Sequence, residues 1–268
     1  NLVFLGRYPF SKGLWWDNKE DEEMVNEAMK RFGVYHLKDR NFSELSSGEA
    51  QRVLLAKAVV QCPQVLLVDE PSAHLDLKYK HEVMEHLRDM LSGNVTIIIA
   101  SHDLNLLAQY CSRIMILSKG KIVAFGTPEE VYKTPANQFV AGFIGSPAMN
   151  FFDVTLQGDA LRLDDGTLIA LAAAQVDAVR RAGASPLALG VRPEHMQVLA
   201  AGESGLQVTV SVVEPLGSDT LLYFDRDGVR RVARVSPETR VRPGDRVTLG
   251  FAMAKSHLFD ATDGRALR

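Results

Sequence analysis

Leu45-Ser46-Ser47-Gly48-Glu49, Val65-Leu66-Leu67-Val68-Asp69-Glu70-Pro71 and Ser101-His102-Asp103 are the three segments of residues 45–103 that decide the fold. An apolar run ending in Asp-Glu reads as a buried parallel strand with both faces covered, and it delivers two carboxylates at its C-terminal edge. That edge is where open α/β sheets bind ligands. A second run, Val95-Thr96-Ile97-Ile98-Ile99-Ala100, has the same character and brings Ser101 and His102 to the same edge. Ser46-Ser47-Gly48 opens the stretch from Glu49 to Val60, which reads as an amphipathic helix. A small-residue loop at a helix start offers backbone N–H groups and the positive dipole end to an anion. Phosphoryl transfer needs positioning and charge stabilisation, so a metal-holding carboxylate beside a base carboxylate suits it. Each segment alone has a plainer reading: a surface turn, a helix N-cap, or a cap made by Asp103. Their joint order favours a nucleotide site.

With Ser72-Ala73-His74-Leu75-Asp76 between the two strands, the ordered set resembles the ATP-binding subunit of ABC transporters over about residues 1–135. The resemblance implies part of a P-loop α/β domain that uses ATP and Mg²⁺. It also implies a head-to-tail dimer of two copies with ATP sandwiched between them, beneath two transmembrane permease subunits. The location implied is peripheral, on the cytoplasmic face of the plasma membrane. In that family's terms Asp69 would hold Mg²⁺ through water and Glu70 would be the general base polarising the attacking water. His102 would contact the γ-phosphate, and Asp76 would belong to the loop crossing to the partner subunit. Ser46, Ser47, Gly48 and Glu49 would form the loop that meets the nucleotide of the second copy.

Two positions depart from the family pattern. Ser47 stands where Gly is usual, adding a Cβ where a phosphate would approach, and Glu49 stands where Gln is usual. No G-x-x-x-x-G-K-[ST] loop occurs; the only Gly-Lys pair, Gly120-Lys121, continues into Ile122. The text begins at Asn1 inside a helical pattern, which fits a chain cut from a longer one. Arg7-Tyr8-Pro9 resembles the segment after the glutamine loop in ATPases of iron-siderophore and cobalamin importers. On this reading the phosphate loop lies upstream, and the fragment alone is expected to be inactive. The rival reading is a regulatory or dimerisation module without hydrolysis. A soluble ABC protein of repair or translation is a third, against which the C-terminal half argues.

The domain expectation is a partial nucleotide-binding domain over residues 1–142, a Gly/Pro-punctuated connector over 143–150, and a β-barrel regulatory domain over 151–268. Within the first, residues 10–18 read as a loop with adjacent Trp15 and Trp16, one of them exposed or packed on a partner. Residues 19–32 read as a helix with acidic start and basic end, closed by Gly33. Further helices are expected over 78–91 and 104–112, a hairpin over 113–124 turning at Lys119-Gly120, and a helix capped by Thr127-Pro128-Glu129-Glu130. From Phe151 the period is two, with Asp/Gly turns between short strands and one short helix over 175–182.

Phe143 to Asn150, Leu189-Gly190-Val191-Arg192-Pro193-Glu194-His195 and Glu214-Pro215-Leu216-Gly217 resemble the C-terminal regulatory domain of carbohydrate and glycerol-phosphate importer ATPases. That resemblance covers about residues 137–268. It implies an all-β barrel of the oligomer-binding type that dimerises and receives a regulatory protein or small molecule. Arg192, Glu194 and His195 read either as ligand residues or, preferably, as a network holding a barrel corner. The transported solute implied is a carbohydrate or glycerol phosphate, with iron-siderophore or cobalamin as the alternative.

The 268 residues are 46% hydrophobic and 24% charged, as in an ordinary globular protein. A net charge of −3 gives no electrostatic case for nucleic acid, and none is expected as a partner. The longest apolar runs, about six residues, are far short of a bilayer span. Cys62 and Cys111 read as core thiols of a reducing compartment. His81 and His86, spaced i, i+5, leave a shared helix face, so they read as solvated rather than zinc-binding. Residues 1–150 hold ten Lys and six Arg, whereas residues 151–268 hold one Lys and thirteen Arg. No electrostatic task explains that contrast, and different coding histories for the two parts would.

Overall fold

The structure, a computed structural model, describes residues 2–10, 19–73, 75–93, 95–200 and 202–268. Trp15, Trp16 and His74 lie outside the described residues. The chain forms two compact units, Asn1–Cys111 and Ser112–Arg268.

In the first unit the N-terminal helical pattern is a 3₁₀ helix, Val3–Phe10. Helix α1 (Lys19–Arg31) begins with Glu20, Asp21 and Glu22 and ends with Lys30 and Arg31, matching the charges its macrodipole prefers. It stops where Gly33 turns to φ +64°, with Gly33 N–H donating to Lys30 and Val34 N–H to Met29. That is the two-bond Schellman closure, and buried Val34 supplies its apolar contact. Arg7 joins three segments: its Nε donates to Asp21 at 2.6 Å and its terminal nitrogen to the Val60 carbonyl at 2.9 Å.

Helix α2 (Ser47–Val59) leads into strand β1 (Val65–Asp69), followed by α3 (Leu77–Asp89), β2 (Thr96–Ala100) and α4 (Leu104–Tyr110). The strands pair in parallel, with Val65 opposite Thr96 and Asp69 opposite Ala100. Leu66 and Val68 enter a core with Met29, Val53, Met84 and Leu87. The expectation that both strand faces are covered is corrected: Leu67 is 72% exposed and Ile98 57%. The core residues lie on one side of the pair, and strand alternation sends Val65, Leu67 and Ile98 to the other.

In the second unit β3 (Ile114–Ser118) and β4 (Lys121–Gly126) form the expected hairpin, with Lys119 and Gly120 both at positive φ as a type I′ turn requires. Helix α5 (Pro128–Lys133) starts with a Thr127/Glu130 capping box and Pro at its first position, and α6 (Gln138–Phe143) follows. The remaining elements are β5 (Asn150–Gln157), β6 (Ala160–Arg162), β7 (Leu168–Ala170), α7 (Ala173–Ala182), β8 (Leu187–Val191), β9 (Met196–Val198), β10 (Leu206–Pro215), β11 (Thr220–Arg226), β12 (Val229–Val235), β13 (Arg246–Phe251), β14 (His257–Asp260) and β15 (Ala266–Leu267). They make two antiparallel sheets, in the orders β12-β11-β10-β13-β9 and β15-β14-β8-β5-β6-β7. Both sheets feed one core that contains Phe152, Leu189, Leu206, Leu222 and Phe224.

Asn150 links the sheets. Its side-chain amide donates to the Val232 carbonyl at 2.8 Å and accepts from the Val232 N–H at 2.9 Å, so it pairs with β12 as a peptide group would. The segment over 143–150 is held from within the same unit, because buried Arg192 donates to the Ile144 carbonyl at 2.8 Å. Among the described residues no helix is long and apolar enough to cross a membrane.

Candidate functional site

The ends of β1 and β2 lie side by side, as their parallel register demands, so Asp69-Glu70 and Ser101-His102 share one edge. Glu70 leaves the strand at φ +46°, and its N–H donates to the Ala100 carbonyl at 2.8 Å. Ser101 Oγ donates to Glu70 Oε2 at 3.2 Å. The backbone N–H of His102 donates to Glu70 Oε1 at 3.2 Å, and His102 Nδ1 lies 2.8 Å from the same oxygen. These partners, His102 foremost, outweigh partial burial and hold the Glu70 carboxyl below the usual carboxylate range. The His102 side chain is 83% exposed, so its ring bonds Glu70 on one side and faces solvent over most of its surface.

Asp103 is the N-cap of α4, as its plainer reading had it, accepting from Leu106 N–H. Burial opposes its ionisation, but Leu106 N–H and Lys80, 3.2 Å away, prevail and lower its pKa. Asp76 caps α3 by accepting from Tyr79 N–H at 3.0 Å and stands exposed. Asp69 is exposed at the strand end beside Glu70.

Ser46 is the N-cap of α2 and forms a capping box with Glu49. Ser46 N–H donates to Glu49 Oε2 at 2.9 Å and Ser46 Oγ to the same oxygen at 2.8 Å. These bonds keep the Glu49 carboxyl below its ordinary value. Ser47 and Gly48 are the first two helical residues, whose N–H groups have no intrahelical acceptor. Ser47 sits in ordinary helical backbone, so its Cβ causes no strain where the family pattern has Gly.

The arrangement suits a nucleotide and Mg²⁺. Among the described residues no cluster of three or more His, Cys, Asp or Glu could cage a metal. Mg²⁺ keeps several waters and takes one or two carboxylates plus substrate phosphates, and exposed Asp69 provides such a carboxylate. Gln51 was not singled out from the sequence: its Nε2 donates to the Glu70 carbonyl at 3.0 Å. A glutamine inside a helix carries no compositional mark of a backbone partner 19 residues on.

Other expectations are corrected. His81 and His86 are not simply solvated: His81 Nδ1 lies 2.9 Å from the Tyr110 hydroxyl, and His86 meets the Phe32 ring edge-on. Both are partly buried because the helix presents them to neighbouring elements. Cys62 is exposed, at a turn after α2, rather than a core thiol, and Cys111 is half-buried.

In the second unit Arg192 is buried, donates to the Tyr132 carbonyl at 2.7 Å as well as to Ile144, and lies 3.6 Å from the Tyr132 ring centre. The Tyr132 hydroxyl donates to Glu194. Burial and that carboxylate push the Tyr132 pKa up to about 12. With both carbonyl bonds made inside the unit, Arg192 acts as a corner clasp.

Residues 5–73 match the ABC transporter family, residues 145–196 the MalK OB fold domain, and residues 189–259 the TOBE domain. The chain is 39% identical to the sulfoquinovosyl glycerol transport ATP-binding protein SmoE of Agrobacterium fabrum, over 91% of this chain and 68% of that protein. It is 36% identical to the trehalose/maltose import ATP-binding protein MalK of Thermococcus litoralis, over 93% of this chain and 69% of that one. It is also 36% identical to the sn-glycerol-3-phosphate import ATP-binding protein UgpC of Chromohalobacter salexigens, over 87% and 63% respectively. The chain thus spans about two thirds of the length of the curated relatives it matches.

Proposed function

The chain belongs to the ATP-binding subunits of ABC importers, and from that premise we propose that Glu70 is the general base of an ATP hydrolysis that drives solute uptake. The observation that carries the proposal is the fixed carboxylate at the end of β1, held by Ser101 and His102 from the end of β2. A base must stay ionised and aimed at its proton, and these bonds favour both.

Asp69 would hold Mg²⁺ through water, and the ion would supply charge neutralisation on the phosphates. His102, with most of its surface in solvent, is free to reach the γ-phosphate from the side opposite Glu70. The N–H groups of Ser47 and Gly48 face outward from the start of α2, ready for the phosphates of ATP held by a second copy. Ser46 is already engaged with Glu49, so its hydroxyl would exchange that bond for a phosphate oxygen. Asp76, exposed at the start of α3, would meet the partner copy.

The assembly is a head-to-tail dimer beneath two transmembrane permease subunits, peripheral on the cytoplasmic face of the plasma membrane. The names of the relatives favour a carbohydrate or glycerol-phosphate solute over an iron-siderophore or cobalamin. The OB and TOBE matches agree with a C-terminal domain that dimerises and receives a regulatory partner.

Glu70→Gln in the full-length protein tests the assignment. Turnover should fall by roughly 10²- to 10⁴-fold while ATP binding persists. Turnover within a factor of about three of the parent, or a parent with no Mg²⁺-dependent ATP hydrolysis, would remove Glu70 from that role.

A further inference from the structure

Glu70 holds φ +46°, a left-handed conformation that a residue with a Cβ keeps only where its surroundings fix it. Three of its tethers come from β2 and the residues after it: the Ala100 carbonyl, Ser101 Oγ and His102. The Glu70 carbonyl has two donors, the Ala73 N–H of the following turn and Gln51 Nε2. Gln51 alone among these comes from α2, and it lies one turn inside the helix that opens with Ser46, Ser47 and Gly48.

We infer that Gln51 is a positioning residue for hydrolysis: its amide fixes the Glu70 peptide and makes the pose of the Glu70 carboxylate depend on the placement of α2. The inference rests on the reading of Glu70 as general base. In a dimer whose α2 N-terminus meets the nucleotide of the other copy, this hydrogen bond joins two sites inside one chain. Movement of α2 onto one ATP then adjusts the base that serves the second. The bond is well formed at 3.0 Å, and Gln51 is only partly buried, so its loss does not open the core.

The test uses the full-length protein with Gln51→Met, which keeps length and helix propensity but has no donor, and Gln51→Glu, which at neutral pH is an acceptor only. ATP hydrolysis is measured for both, beside the parent and Glu70→Gln. Gln51→Met should lower kcat by about three- to tenfold with KM for ATP unchanged. Gln51→Glu, ionised at neutral pH, sets a carboxylate against the Glu70 carbonyl, so its kcat should fall at least as far as that of Gln51→Met. Urea midpoints equal to that of the parent show that both variants keep the fold.

If Gln51→Met keeps kcat within about twofold of the parent while Glu70→Gln is inactive, the inference fails and the assignment of Glu70 stands. A Gln51→Met deficit that comes with a raised KM for ATP or a lowered urea midpoint would likewise overturn it, because a general structural role would then explain the loss. If Glu70→Gln retains turnover, the assignment of the base and this inference fall together.

Discussion

His257 begins β14 with its imidazole partly buried near Phe259, and burial drives its pKa down to about 4, with Arg192, His195 and Arg268 adding repulsion. The unfolded chain takes up the proton near about 6.5. A histidine depressed in this way gives stability that is complete above the unfolded value and is lost as pH falls towards the folded one. The free energy of urea unfolding should therefore fall from about pH 6.5 towards about pH 4, and His257→Gln should flatten the decline by on the order of 2 kcal/mol. That Asp69, Glu70 and His102 share one edge was legible because two apolar runs of strand length end at these residues and pair in parallel. His81 and His86 were read as solvated because spacing gives the face of a helix but not what covers it. Gln51 was invisible for a related reason: an amide that serves a backbone carbonyl depends on a partner far along the chain.

At the scale of elements, boundaries were read well wherever a local hydrogen-bond pattern sets them. α1 ends at Gly33, the Lys119-Gly120 hairpin turns as its residues require, and α5 starts at its capping box, since each is decided within a few residues. Gly33→Ala tests the first. The substitution places a Cβ at φ +64° and 3.3 Å from an Arg52 nitrogen, so stability should drop by about 1 kcal/mol, seen as a lower urea midpoint with unchanged slope. The strands β1 and β2 were legible as strands and as parallel neighbours, because their β-branched runs end in the site. Their one-sided burial was not, because an apolar run does not say how many layers lie over it.

At the scale of the molecule, the change of period at Phe151 announced the two sheets, and the family matches over residues 145–259 start a few residues before it. The segment over 143–150 read as a Gly/Pro connector that shares the regulatory-domain resemblance, and Arg192 grips it, though nothing in its Gly/Pro composition reveals a guanidinium supplied from β8's far end. Asn150 likewise looked like the last residue of a linker. Asn150→Ala would leave the Val232 N–H and carbonyl without their partner, and should destabilise the second unit by about 2 to 4 kcal/mol, read by calorimetry. β12 is the outer strand of its sheet, and the Val232 groups that Asn150 occupies point away from β11. An unpaired outer strand is a template on which other chains can polymerise. The same amide that joins the two sheets therefore also fills the outer hydrogen-bonding position at Val232, which closes that peptide group to any other strand.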